Sequence, residues 1–163
     1  IRKNLDFIGL RGLSLVCNAA YIYSRVRFED GAPERDRPLA GQSPYLVNAG
    51  LFYQHDDNGI SASLLYNRIG KRIESVGVPM QNESEDIPDI YEMPRNSLDL
   101  TFSKKIGKFV EIKAGVQDLL NSKVEYKQFV KLTDENGGKR EREQLIRSYR
   151  PGVDINVGVS LKF

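Results

Sequence analysis

Apolar and polar residues alternate along most of this chain, most cleanly over residues 153–163, V-D-I-N-V-G-V-S-L-K-F. Side chains on a strand point alternately to opposite faces, so Val153, Ile155, Val157, Val159, Leu161 and Phe163 share one face. Asp154, Asn156, Gly158, Ser160 and Lys162 share the other. A strand with one wholly apolar face, a small polar face and a terminal aromatic suits a tilted passage through about 30 Å of hydrocarbon. It equally suits a half-buried strand of a soluble sheet, which has the same period.

The period predicts a succession of such strands. Residues 4–10 read as the end of a strand, closed by a tight turn at Arg11 and Gly12. Residues 13–29 form the next, with Leu13, Leu15, Cys17, Ala19, Tyr21 and Tyr23 on one face. That is long beside a usual length of about five or six residues. Residues 30–44 contain Pro33, Pro38, Pro44, Gly31 and Gly41 among alternating charges and are predicted to be a loop. A strand over residues 45–55 places Tyr45, Val47, Ala49, Leu51 and Tyr53 together, and D-D-N-G at residues 56–59 supplies a hairpin turn. Ile60, Ala62, Leu64 and Tyr66 line the following strand, and a long polar segment over residues 75–91 reads as a second loop. Leu98, Leu100, Phe102 and Ile106 mark a strand over residues 96–106, which turns at Gly107 and Lys108. Val110, Ile112, Ala114 and Val116 mark the one after it, expected to run on through a bulge near residues 118–121 into V-E-Y-K-Q-F. A third polar loop, residues 131–148, precedes the final strand.

The connections alternate between short (residues 11–12, 56–59 and 107–108) and long (residues 30–44, 75–91 and 131–148). In an up-and-down meander this puts every short turn at one end and every long loop at the other, the asymmetry of outer-membrane barrels. Soluble meanders more often use short hairpins at both ends. Tyr21, Tyr23, Tyr45 and Tyr66 fall toward the long-loop ends, and Tyr53 and Phe163 toward the short-turn ends, as two interfacial girdles require. The fold expected is therefore all-β, an antiparallel up-and-down transmembrane barrel. Its lipid-facing residues would include Leu98, Leu100, Phe102, Val153, Ile155, Val157, Val159 and Leu161. Seven strands are an odd set, and an open sheet would leave two unpaired edges in lipid. The chain is thus expected to be the carboxyl-terminal part of a larger barrel, with its secretory signal upstream of Ile1.

Composition narrows the function classes. With 163 residues, a formal net charge of +2 and 40% hydrophobic residues, the chain has no strong electrostatic pull toward nucleic acid. One Cys and one His give neither an internal disulfide nor a Cys/His zinc cluster. Cys17 reads as a small apolar strand residue and His55 as an exposed turn residue without a catalytic triad. The acidic stretch at Glu83, Ser84, Glu85 and Asp86 lacks the spacing of a calcium loop, and Gly137 and Gly138 are not followed by the Lys-Ser pair of a phosphate loop. Neither an enzyme nor a cofactor is expected. No run of apolar residues is long enough for a transmembrane helix.

Several strings also carry a family resemblance. R-P-L-A-G-Q-S-P-Y-L-V-N-A-G-L, S-L-L-Y-N-R-I-G-K-R-I, M-P-R-N-S-L-D-L-T-F-S-K-K-I-G-K, I-K-A-G-V-Q-D-L-L-N and Y-R-P-G-V-D-I-N-V-G-V-S-L-K-F together span nearly the whole chain. They resemble the end of the barrel of TonB-dependent outer-membrane receptors of Gram-negative bacteria, in particular those with an extra amino-terminal β-sandwich domain before the plug. D-L-L-N at residues 118–121 and the terminal Phe163 are the most recurrent pieces, and Phe163 resembles the signal read by the barrel-assembly machinery. The resemblance implies a barrel of about 22 strands with a plugged lumen, of which this chain is the last seven. It implies uptake of a scarce nutrient, such as a metal chelate, vitamin, peptide or glycan, into the periplasm. It also implies partners: outer-membrane lipid, the rest of the barrel and plug, and an energy-coupling protein reached through a segment outside this sequence. A passive or structural outer-membrane barrel is the alternative, and a soluble β-barrel binding protein a third reading. The ligand is not legible.

Overall fold

The computed structural model describes residues 1–6, 11–32, 34–80, 86–133 and 138–162. They form the strands β1 (Arg2–Asn4), β2 (Leu13–Tyr21), β3 (Tyr45–His55), β4 (Ile60–Ile69), β5 (Arg72–Ser75) and β6 (Ile90–Glu92), followed by β7 (Arg95–Ile106), β8 (Val110–Gln117), β9 (Val124–Thr133), β10 (Lys139–Tyr149) and β11 (Asp154–Leu161). The protein is mostly β and antiparallel throughout. A seven-stranded sheet has the order β1-β2-β3-β4-β7-β8-β11, and a four-stranded sheet the order β10-β9-β6-β5. The large sheet is open, since among the described residues β1 pairs only with β2 and β11 only with β8.

The two sheets are successive storeys of one meander. β5 resumes β4 after Gly70 and Lys71, β6 leads into β7 through Met93 and Pro94, β9 follows β8 after residues 118–123, and β10 leads into β11 through residues 150–153. Each break has a local cause. Pro94 and Pro151 have no N–H for a ladder. A Cβ at Gly70 would come within 2.7 Å of the Tyr45 ring. At Asp118 and Asn121 the chain turns left-handed, with φ of 53° and 43°, a conformation that Asp and Asn tolerate better than other non-glycine residues. The Asp118 N–H donates to Asp99 Oδ1 at 2.8 Å, and the Asn121 N–H returns to Asp118 O at 2.7 Å. Asn121 also fastens the connection entering β11, accepting from the Gly152 N–H on Oδ1 and from Arg150 Nη1 on its carbonyl. D-L-L-N is therefore a knot that ends one storey and starts the next.

Several sequence expectations change accordingly. The strand predicted over residues 13–29 stops at Tyr21, where the last ladder bond runs from the Ile22 N–H to the carbonyl of Pro44, which has no N–H to return. Val26, from the end of that predicted strand, and Arg37, from the predicted loop, then form an isolated bridge. The bulged continuation through residues 118–121 is instead the break just described. The loop predicted over residues 75–91 narrows, because Ser75 belongs to β5, Ile90 and Tyr91 to β6, and Val78 bridges Ile87. The loop predicted over residues 131–148 is a hairpin of β9 and β10. Its charged residues segregate by face, with Arg140 and Arg142 on one side and Glu141 and Glu143 on the other, and Lys127 Nζ lies 2.7 Å from Glu143 Oε1 across the strands. The final strand begins at Asp154 rather than Val153.

Residues 7–10, 33, 81–85, 134–137 and 163 lie outside the described residues, and with them part of the strand end expected over residues 4–10, Pro33 of the first loop, Glu83 to Glu85 of the acidic stretch, Gly137 and the Phe163 signal. The turns stand where predicted: Gly12, Gly59 and Gly107 all have positive φ, at 76°, 58° and 59°. Antiparallel order then gathers the connections at residues 56–59 and 107–109 at one end of the large sheet, with the chain entering β2. The connections from β2 to β3, β4 to β7 and β8 to β11 gather at the other.

Candidate functional site

The register assigns every strand of the large sheet to the same two faces. Leu15 stands opposite Leu51, Leu51 opposite Leu64, Leu64 opposite Leu100, Leu100 opposite Val116 and Val116 opposite Ile155. The neighbouring row runs from Cys17 through Ala49, Tyr66 and Leu98. One face is therefore apolar across six adjacent strands, and nothing in the described chain covers it. Leu100 is 39% exposed, Phe102 44%, Ile155 72%, Val157 71% and Leu161 59%; Leu98 is half-buried. The buried apolar side chains among the described residues are Ile73, Val124 and Tyr126, all of which belong to the small sheet.

The opposite face is small and polar. Ser61 and Ser103 share a hydrogen bond at 2.7 Å, Ser63 bonds Thr101, and Asn67 Nδ2 donates to Asn48 Oδ1. Ser61, Ser63, Thr101 and Ser103, with Arg2, Lys113 and Asn156, line a cleft of about 720 Å³. Gly115 has no side chain where a Cβ would come within 2.7 Å of Asn156 Oδ1, which lets the asparagine lie flat on its neighbour. Phe52 folds over Gly50 in the same way and, with Leu65, is an apolar exception on this face.

The ends of the apolar face are polar. At the long-connection end, the Tyr66 hydroxyl donates to Asn96 Oδ1 at 2.8 Å, and Arg68 Nη1 donates to the same oxygen at 2.9 Å. Tyr21 pairs with Tyr45 there, and Tyr21 is 82% exposed. At the short-turn end, Lys104 Nζ reaches the Asn58 carbonyl at 2.7 Å. His55, expected as an exposed turn residue, is instead the half-buried last residue of β3 and accepts from the Asn58 N–H at 3.3 Å. Cys17 is free, half-buried and opposite Ala49 on the apolar face.

A second cleft, of about 360 Å³, lies beside the small sheet, against residues 34–38, 76–79 and 86–89. The Tyr91 and Phe129 rings meet edge to face with centroids 5.7 Å apart. The Lys71 ammonium stands over both, 4.0 Å from the Tyr91 centroid and 3.8 Å from that of Phe129. Burial lowers the Lys71 pKa from its ordinary value, against an opposing pull from Glu141 and Glu143. Burial, and then the charge of Asp89, raise that of the Tyr91 phenol. Sequence reading passed over this cleft because its aromatics sit in segments taken as loop or as strand continuation. The period-two charge pattern of β10 was the available signal.

No protein-family model, curated protein or solved structure matches the chain.

Proposed function

We propose that this chain is part of the transmembrane wall of an outer-membrane β-barrel, the carboxyl-terminal part of a TonB-dependent import receptor of a Gram-negative bacterium. The observation that carries the reading is the inverted polarity of the seven-stranded sheet: its continuous apolar face is open and its small polar face lines a cleft. A soluble sheet buries its apolar face against another layer, whereas a barrel wall gives it to lipid. β2, β3 and β4 have 9, 11 and 10 residues, the length a tilted strand needs to cross a bilayer, about 9–11, while β7 has 12 and β8 and β11 have 8 each. Tyr66 with its tethered hydroxyl, and Lys104 reaching back to a turn, suit interfacial positions where an apolar body meets water. The unpaired edges of β1 and β11 call for further strands, since each unmet backbone group in hydrocarbon costs several kcal/mol. In this reading the clustered long connections and the small sheet stand outside the cell, the polar face lines the lumen around a plug, and an energy-coupling protein acts from the periplasm. The receptor class itself rests on the motif resemblance.

The test is labelling of single cysteines in intact cells with an impermeant thiol reagent, in a Cys17→Ala background. Gln144→Cys is expected to label and Asn58→Cys only after the outer membrane is opened. The opposite pattern inverts the topology, and recovery of the protein without detergent defeats the membrane reading. In planar bilayers the intact receptor is expected to stay closed, whereas a passive porin conducts steadily.

A further inference from the structure

The cleft beside the small sheet holds two cations, Arg37 and Lys71, that form no ion pair with a carboxylate among the described residues. Arg37 Nη1 is buried and has no hydrogen-bond partner among the described residues. Lys71 rests on the faces of Tyr91 and Phe129, and Glu141 and Glu143 act on it through their charge without closing an ion pair among the described residues. Among the described residues, the three aspartates that line the cleft are engaged elsewhere. Asp36 pairs with Arg25 and accepts from the Phe28 N–H, Asp86 pairs with Arg35 and accepts from the Met80 N–H, and Asp89 accepts from the Gly77 N–H at 2.7 Å and the Tyr91 hydroxyl at 3.4 Å. Glu34 and Glu141 are exposed at the rim, and Glu141 stands opposite Lys131 in the ladder.

We propose that this cleft binds an organic oxyanion, a carboxylate or phosphate carried on an apolar or aromatic body. The oxyanion takes the free Arg37 N–H and lies against Lys71, and the body packs among Pro38, Val76, Ile87 and the edges of Tyr91 and Phe129. An unsatisfied buried donor is costly, and bonds between charged groups are the strong ones, so an anionic acceptor gains most here. A cationic ligand would meet an aromatic slot that Lys71 already fills. The inference deepens the receptor reading by giving its outer face a ligand class, and rests on it only for the side from which the ligand arrives.

The experiment is calorimetric titration of the intact protein in detergent micelles with phenyl phosphate, phenylacetate, inorganic phosphate and benzylamine. The expected result is binding of at least one aromatic anion, more tightly than inorganic phosphate, and no binding of benzylamine. The stronger of the two aromatic anions identifies phosphate or carboxylate as the preferred group. Lys71→Met keeps an apolar stem over the rings and Arg37→Gln keeps a polar planar end; each is expected to weaken binding roughly tenfold with the melting curve little changed. Lys105→Met, at the opposite end of the sheet, is expected to bind as wild type. Preference for benzylamine, failure of both aromatic anions at millimolar concentration, inorganic phosphate binding as tightly as they do, or wild-type binding by both cleft variants overturns the proposal. Binding as expected in a protein whose cysteines label from the wrong side would leave the site standing and defeat the topology instead.

Discussion

Replacing Val157 by Arg is expected to destabilise the protein by about 2–4 kcal/mol, and replacing its neighbour Asn156 by Arg by far less. The two residues are adjacent on β11 and both exposed, so a soluble sheet with water on each side would tolerate arginine at either. In a barrel wall they differ completely. Val157, opposite Ala114 on the apolar face, would carry the guanidinium into the middle of the hydrocarbon, and Asn156, opposite Gly115, into an aqueous lumen. Urea unfolding of the refolded protein in lipid vesicles measures both. Equal losses would argue against a membrane strand.

The second large effect is expected at the knot between the storeys. Arg95 Nη2 pairs with Asp118 Oδ2, with the Asp118 side chain 13% exposed and that of Arg95 29%. Arg95 Nε and Asp118 Oδ1 are buried and without partners among the described residues, so the pair depends on this single contact. Asp118→Ala removes it, leaves a partly buried guanidinium unpaired and puts a less tolerant residue at positive φ. Breaking a fully buried pair costs about 3–5 kcal/mol, and the exposure of Arg95 lowers that share. With about 1 kcal/mol for the backbone, the expected loss is about 2–4 kcal/mol. Asp118→Asn keeps the backbone tolerance and is expected to lose less. A double-mutant cycle with Arg95→Ala should return a coupling above about 1 kcal/mol, and additive losses would mean that the pair contributes nothing.

The sequence carried the large sheet well because its information is local. Period two fixes the faces, Gly12, Gly59 and Gly107 fix the turns, and once the strands are consecutive neighbours their order follows. The pairing of β11 with β8 follows from the same local pattern. The second storey was not, because its evidence is relational. Asp118 ends β8 through a bond to Asp99, nineteen residues away, and Asn121 holds Gly152, thirty-one away. Such partners leave no periodic trace. β10 was missed for another reason: K-R-E-R-E reads as a solvated charge run unless the sign is followed residue by residue, when it resolves into a basic and an acidic face. The aromatic slot around Lys71 needed β5, β6 and β9 to be placed side by side, which hydropathy alone does not do.

The central claim, that the seven-stranded sheet is a membrane wall, is tested most directly on β11 by scanning nitroxide labels from residue 154 to residue 161 in the intact protein in lipid vesicles. The predicted result is a period of two. Labels at residues 155, 157, 159 and 161 collide often with dissolved oxygen, which concentrates in lipid, and rarely with a water-soluble nickel chelate, and residues 154, 156, 158 and 160 show the weaker oxygen response. Oxygen and nickel accessibilities that rise and fall together, with the odd-numbered positions as open to nickel as an aqueous surface, would contradict it.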